Sequence, residues 1–159
     1  MKRDELPAAV RLIGALRWAA LATTGADGAA QASMVSYAPE PDLCAFVLHL
    51  SRLAGHTRNL LRDPRAALVI GEPDSGAGDP QTLARITLEG TAAVLAPDAP
   101  AYAPARALYL ARLPDAEPRF EFADFLLFRF EVARARWVGG FARACTLSPR
   151  DLRAAAGAD

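Results

Sequence analysis

A serine followed by an arginine, placed where a long apolar run gives way to a polar one, is the pairing in this chain best suited to holding an anion. The stretch Leu50-Ser51-Arg52-Leu53-Ala54-Gly55-His56-Thr57-Arg58-Asn59 carries it. Ser51 stands where it can cap a helix, and a helix start offers unpaired N–H donors at the positive end of the dipole. Arg52 adds a planar fork that matches phosphate oxygens. Arg52, His56 and Asn59 fall at i, i+4 and i+7, one polar stripe opposite the leucines of the same segment. Spacing alone leaves two readings open: the stripe converges on one object, or Ser51 is a plain cap, the arginines a solvated face and His56 an ordinary helix histidine.

Other chemistries lack their residues. Cys44 and Cys145 have no CxxC spacing and no neighbouring histidine cluster, so neither a metal site nor a disulfide is expected. There is no nucleophile-elbow frame, zinc spacing or P-loop. His49 and His56 are the only histidines, which leaves a single haem-ligating imidazole chemically open. Lys+Arg and Asp+Glu are both 18, so no net field favours nucleic acid or an anionic membrane as partner. No apolar run approaches the roughly 20 residues of a membrane span, and a soluble cytoplasmic protein is expected.

The elements that must position Ser51 and Arg52 follow from periodicity. At 159 residues and 52% hydrophobic composition, one domain spanning 1–159 is expected. Leu6, Val10, Ile13 and Leu16 predict a helix over residues 4–17. Residues 18–24 and 29–37, either side of Gly25-Ala26-Asp27-Gly28, read as a hairpin. Residues 43–50 are apolar at both parities, the mark of a strand buried on two sides. A helix over 51–63, capped by Ser51 and stopped by Pro64, comes next. A strand over 66–70, an exposed loop over 71–80 and a long alternating strand over 83–95 follow, the last with Ile86, Leu88, Ala92 and Val94 on one face. Asp98 can cap a helix running to Leu113, and residues 124–138 read as a final strand, with a short helix over 150–156 at the end. In that final strand Phe128, Phe130 and Val132 share a parity with Arg134 and Arg136, so either a bulge flips the faces or two arginines point at something anionic. The order lacks a regular βαβ alternation, and a mainly β, α+β domain with a six-stranded antiparallel barrel and peripheral helices is the economical arrangement.

Ser51-Arg52, the His56-Thr57-Arg58-Asn59 run and Asp63-Pro64-Arg65-Ala66-Ala67-Leu68 resemble the FMN-binding split β-barrel superfamily of pyridoxamine 5′-phosphate oxidase. Ser33-Met34-Val35-Ser36-Tyr37, Asp124-Phe125 and Ala135-Arg136-Trp137-Val138-Gly139-Gly140-Phe141-Ala142-Arg143-Ala144 are similar, in order and spacing, to its haem-utilisation branch, the HugZ- and HutZ-like proteins. The likeness covers roughly residues 8 to 147, with four motifs in register. It implies a flavoprotein in which Ser51 and Arg52 grip the FMN phosphate, with His56 and Asn59 beside them. It further implies that backbone groups of Ser33, Val35 and Ser36 meet the flavin ring edge, and that a homodimer shares its flavins across the interface. Leu53 replaces the lysine of the oxidase itself, and the arginine and lysine of its flavin-edge strand are missing from 31–37. An oxidoreductase with a small-molecule substrate other than pyridoxamine phosphate is therefore implied. The alternative on the same barrel is a haem-binding protein or a non-catalytic flavin carrier, although the branch usually carries a C-terminal extension longer than the 150–156 helix. Dimerisation is also expected because the two apolar faces of 43–50 exceed what one barrel interior hides, leaving a face that needs a partner or a helix.

Overall fold

Runs in which every second side chain is buried build most of one antiparallel sheet in the computed structural model, which describes residues 2–157. In chain order the elements are α1 (Lys2–Ala15), β1 (Trp18–Thr24), β2 (Ala30–Ser36), β3 (Ala38–Pro39), β4 (Ala45–Ser51), α2 (Gly55–Arg62), β5 (Arg65–Gly71), β6 (Arg85–Val94), α3 (Tyr102–Arg112), β7 (Phe125–Val138), β8 (Ala144–Leu147) and α4 (Pro149–Ala156). Short 3₁₀ segments lie at Pro80–Thr82 and Pro114–Glu121. The strands run β2-β1-β5-β6-β7-β4-β3, with β8 against β7. β2 and β4 come close together without pairing, which leaves the curled sheet a split barrel. The six expected strands are all present; the two-residue β3 and four-residue β8 are additional. Among the described residues no helix is long and apolar enough to cross a membrane.

The barrel interior is filled by Leu21, Tyr37, Phe46, Leu48, Leu68, Ile86, Phe130 and Trp137 among others. Burying each such side chain contributes on the order of 1.5–3 kcal/mol. The other face of β4 packs Val47 against Ala105 and Tyr109 of α3, Leu113 at its C-cap and Ala116 of the 3₁₀ segment. The two-sided apolar pattern of 43–50 is therefore satisfied within one chain, by a helix, and requires no partner.

The parity of the last strand resolves in favour of a bulge. Glu89 pairs with Arg134 while Gly90 pairs with Val132, so Ala133 is an extra residue in β7. Phe128, Phe130 and Val132 before it, and Ala135 and Trp137 after it, all face inward, and Arg134 turns out to Glu89 at 2.6 Å. Gly90 is required there, since a Cβ on it would lie 1.9 Å from the Glu131 carbonyl oxygen.

Two local expectations, both helix caps, are corrected. Ser51 does not cap α2: the helix begins at Gly55, and its N-cap, Ala54, makes no side-chain cap bond. Ser51 instead ends β4, its Oγ accepting from the Leu53 N–H at 3.1 Å to close a turn one step earlier. Asp98 does not cap α3, which starts after a turn, with Ala101 at the N-cap. Val94 shares the parity of Ile86, Leu88 and Ala92 but, as the last residue of β6, lies 39% exposed. Residues 114–121, between α3 and β7, form a 3₁₀ segment that packs on β4.

Candidate functional site

β2 is an edge strand, hydrogen-bonded on one side to β1 alone. Its other side keeps unpaired backbone donors and acceptors, a template for any group with a matching edge. Where β2 passes the end of β4, a cleft of about 220 Å³ opens. Val35 and Ser36 of β2, His49, Leu50 and Ser51 of β4, and His56 of α2 line one part of it. Tyr109 of α3, Arg119 of the 3₁₀ segment, Phe125 of β7 and the exposed Trp18 and Met34 complete it.

Four residues singled out from the sequence, Val35, Ser36, Ser51 and His56, thus meet at one cleft. Three others stand elsewhere. Ser33 pairs with Leu21 along β2, outside the cleft lining. Arg52 is exposed in the turn between β4 and α2, and its side chain has no hydrogen bond or ion pair among the described residues. Asn59 is buried and turned into the fold: its Nδ2 donates to Thr23 Oγ1 at 3.0 Å and Gln31 Oε1 at 2.8 Å, and its Oδ1 accepts from Arg62 at 2.9 Å. It ties α2 to the β1–β2 hairpin and leaves no donor for the Arg52 stripe.

Ser51 is held on both sides. Its hydroxyl donates to Asp124 Oδ2 at 2.6 Å, and the Arg52 N–H donates to the Asp124 carbonyl at 2.7 Å. The Arg58 guanidinium donates to the Leu53 carbonyl at 2.7 Å and fixes the same turn. α2 then presents the unpaired amides of its first turn, at residues 55–57, beside the exposed Arg52. The anion-attracting groups of this corner are therefore the amides and the guanidinium, while the serine proton is committed to a carboxylate.

The far wall is aromatic. His49 stacks on Phe120 with ring centroids 3.8 Å apart and 8° between planes, and Phe125 and Tyr109 lie at 5.0 and 5.8 Å. Arg106 sits over the Phe120 ring, 5.0 Å from its centroid. Burial first, and then the charges of Arg119 and Arg106, push the His49 imidazole down to about 4. Burial likewise lowers His56 and raises the Tyr109 phenol, the latter against the opposing influence of Arg119 and Ser36. Both imidazoles and the phenol are uncharged near neutrality, and among the described residues Arg119 is the one charged side chain lining the cleft. The contributions of Trp18, Tyr109, Arg119 and Phe125 were not read from sequence; all arrive through pairings and packings distant along the chain, and only the aromatic density of 120–125 hinted at them.

Comparison with known proteins places this geometry. A family model of pyridoxamine 5′-phosphate oxidase matches residues 6–139. A non-canonical haem oxygenase, HOZ, of Arabidopsis thaliana chloroplasts is 37% identical over 119 residues, 74% of this chain and 34% of its own length. The structure of a haem-binding protein from Mycobacterium smegmatis superimposes with a TM-score of 0.81 at 35% identity, covering 94% of this chain and 60% of the other. The haem storage protein HutZ of Vibrio cholerae shares the fold, with a TM-score of 0.72 at 21% identity over 79% of this chain and 88% of the other. This chain thus spans about a third of the plant relative and three-fifths of the mycobacterial one. Matched over most of its length by the family model and built on the same split barrel as haem-utilisation proteins, the chain belongs to the pyridoxamine 5′-phosphate oxidase family.

Proposed function

We propose that the chain is an FMN-binding flavoprotein, an oxidoreductase acting on a small molecule, that works as a homodimer. The observation that carries this reading is the cleft in which the open edge of β2 faces the end of β4, beside an unengaged guanidinium and a helix start. FMN has a matching pair of features, a planar ring with a polar edge and a phosphate dianion. The residues fit that group: Arg52 and the amides of 55–57 take the phosphate, and backbone groups of Val35 and Ser36 meet the ring edge, with Ser33 further along the strand. Ser51 and His56 border the passage between the two, and Asn59 holds α2 in place from behind.

When bound, FMN supplies the hydride or electron transfer. The chain's own part is to orient the ring against β2, to keep water from one face with Trp18 and Met34, and to hold uncharged hydrogen-bonding groups near the reacting edge. Absorption spectra of the purified protein, with and without added FMN, test the reading. Flavin bands that bleach with a nicotinamide donor are expected; a colourless protein that takes up no FMN overturns it.

Haem binding is the second reading, favoured by the haem-binding and haem-oxygenase relatives above 30% identity. The same aromatic wall suits a porphyrin face. A Soret band on adding haem, with no flavin uptake, selects it.

A further inference from the structure

His49 is 7% exposed, yet neither of its ring nitrogens has a hydrogen-bond partner among the described residues. Nδ1 is fully enclosed, and the ring borders the cleft. Its plane is fixed by the 3.8 Å stack on Phe120 and the flanking Phe125 and Tyr109 rings. A leucine would fill this place without leaving polar atoms unmatched, so packing does not explain an imidazole here. A polar partner supplied from the cleft to the accessible, unpartnered Nε2 does, with Nδ1 left as the enclosed lone pair.

Orphaned buried N–H groups are rarer than orphaned acceptors, so the enclosed Nδ1 is the unprotonated nitrogen. The charges of Arg119 and Arg106 act on this ring and favour an unprotonated nitrogen over an added proton. The proton of the neutral ring then sits on Nε2, the nitrogen that is not enclosed.

From this geometry we infer that His49 is a specificity-determining residue of the cleft, whose Nε2–H donates to an in-plane acceptor, a carbonyl oxygen or ring nitrogen, at the edge of a planar heteroaromatic ligand. The inference deepens the flavin reading and rests on it for the choice of probe. It selects ligands by an acceptor at the ring edge, separately from the phosphate grip at Arg52. The imidazole stays uncharged through the physiological range because burial holds it near 4.

The test uses the full chain in two measurements. Proton–nitrogen correlation NMR of the histidine side chains in the ligand-free protein, assigned with H56Q, is expected to show His49 as a neutral ring with the proton on Nε2. A proton on Nδ1, or a charged ring at pH 7, overturns the inference whether or not flavin binds. FMN titrations of the wild type, H49F and H49Q follow. H49F keeps the stack and removes the donor, and is expected to weaken binding about three- to tenfold, the range for one neutral hydrogen bond, with displaced flavin bands. H49Q restores an N–H donor and is expected to recover part of the affinity. An H49F protein that binds FMN with wild-type affinity and unshifted bands overturns the inference while leaving the flavin reading intact. A wild type that binds no FMN overturns the flavin reading instead, and His49 is then judged by the NMR result together with the shift of its Nε2 resonance on adding haem.

Discussion

The exposed guanidinium of Arg52 and the carboxylate of Asp124 set opposite tendencies on the two sides of Ser51. A phosphate arriving at residues 55–57 is drawn by Arg52 and meets like charge from Asp124. Arg52→Ala is expected to weaken FMN binding by about 1.5–3 kcal/mol, the range for a hydrogen bond to a charged group, without changing the thermal unfolding profile. Fluorescence titration checks it, and an unchanged affinity removes Arg52 from the site. Asp124→Asn keeps an acceptor for the Ser51 hydroxyl but removes the charge, so FMN is expected to bind tighter by about 1 kcal/mol at low salt, with the gain shrinking as salt rises. His49 gives this scale its pH dependence. Its folded-state value of about 4 lies below the ordinary 6.5, so between those limits the unfolded chain takes up a proton that the folded chain refuses. Stability from this group is therefore complete above pH 6.5 and is lost as pH falls toward 4. Denaturant midpoints compared at pH 7 and pH 5 should drop less in His49→Phe than in the wild type.

At the scale of elements, what was legible in the sequence was whatever depends on local period. The β1–β2 hairpin, the two-sided β4 and the alternating β6 all follow from side-chain parity. The start of α2 did not, because Ser51 can satisfy a helix start or a strand-ending turn equally well, and only Asp124, 73 residues away, selects the turn. Asn59 was misplaced on the outer stripe for a similar reason: its partners Thr23 and Gln31 come from a hairpin whose distance from α2 the local pattern does not encode. The bulge in β7 was legible as a parity conflict, and its cause sits in the partner strand as Gly90. Gly90→Ala would drive a Cβ into the Glu131 carbonyl at 1.9 Å, so β6 and β7 must separate where the face of β7 flips. A loss of about 1–3 kcal/mol in chemical denaturation is expected, as for other overpacked positions. Glu5 is the corresponding fastener for α1, accepting from Trp137 Nε1 at 2.7 Å and from Arg143 Nε at 2.7 Å. These bonds hold its carboxyl below the usual range. Arg112 secures the other end of α1 by donating to the carbonyls of Ile13, Gly14 and Leu16.

For the whole molecule, the exposed apolar surface on which the proposed homodimer would rest lies on the outside of the sheet, since α3 already covers β4. Trp18, Ala20, Met34 and Val69 are outward neighbours in the β2-β1-β5 register, with Ala20 opposite both Met34 and Val69. Trp18, Met34 and Val69 are 54%, 48% and 37% exposed, and small residues, Ala22, Ala32 and Ala67, extend the surface along the same strands. A small-residue sheet face allows two backbones to approach closely, and the Glu89–Arg134 and Asp63–Arg65 ion pairs provide a polar rim. Trp18 and Met34 belong both to this face and to the cleft wall, so a two-fold pairing through it would bring the partner up to the cleft mouth. Val69→Arg places a cation on that face, away from the cleft lining. Sedimentation velocity is expected to give twice the 16.9 kDa chain mass for the wild type and the single chain mass for Val69→Arg, with FMN affinity falling in the variant although no cleft residue has changed. A wild type that sediments as a monomer with FMN bound would sever the link between assembly and cofactor; a monomeric variant with undiminished affinity would place the whole flavin site within one chain.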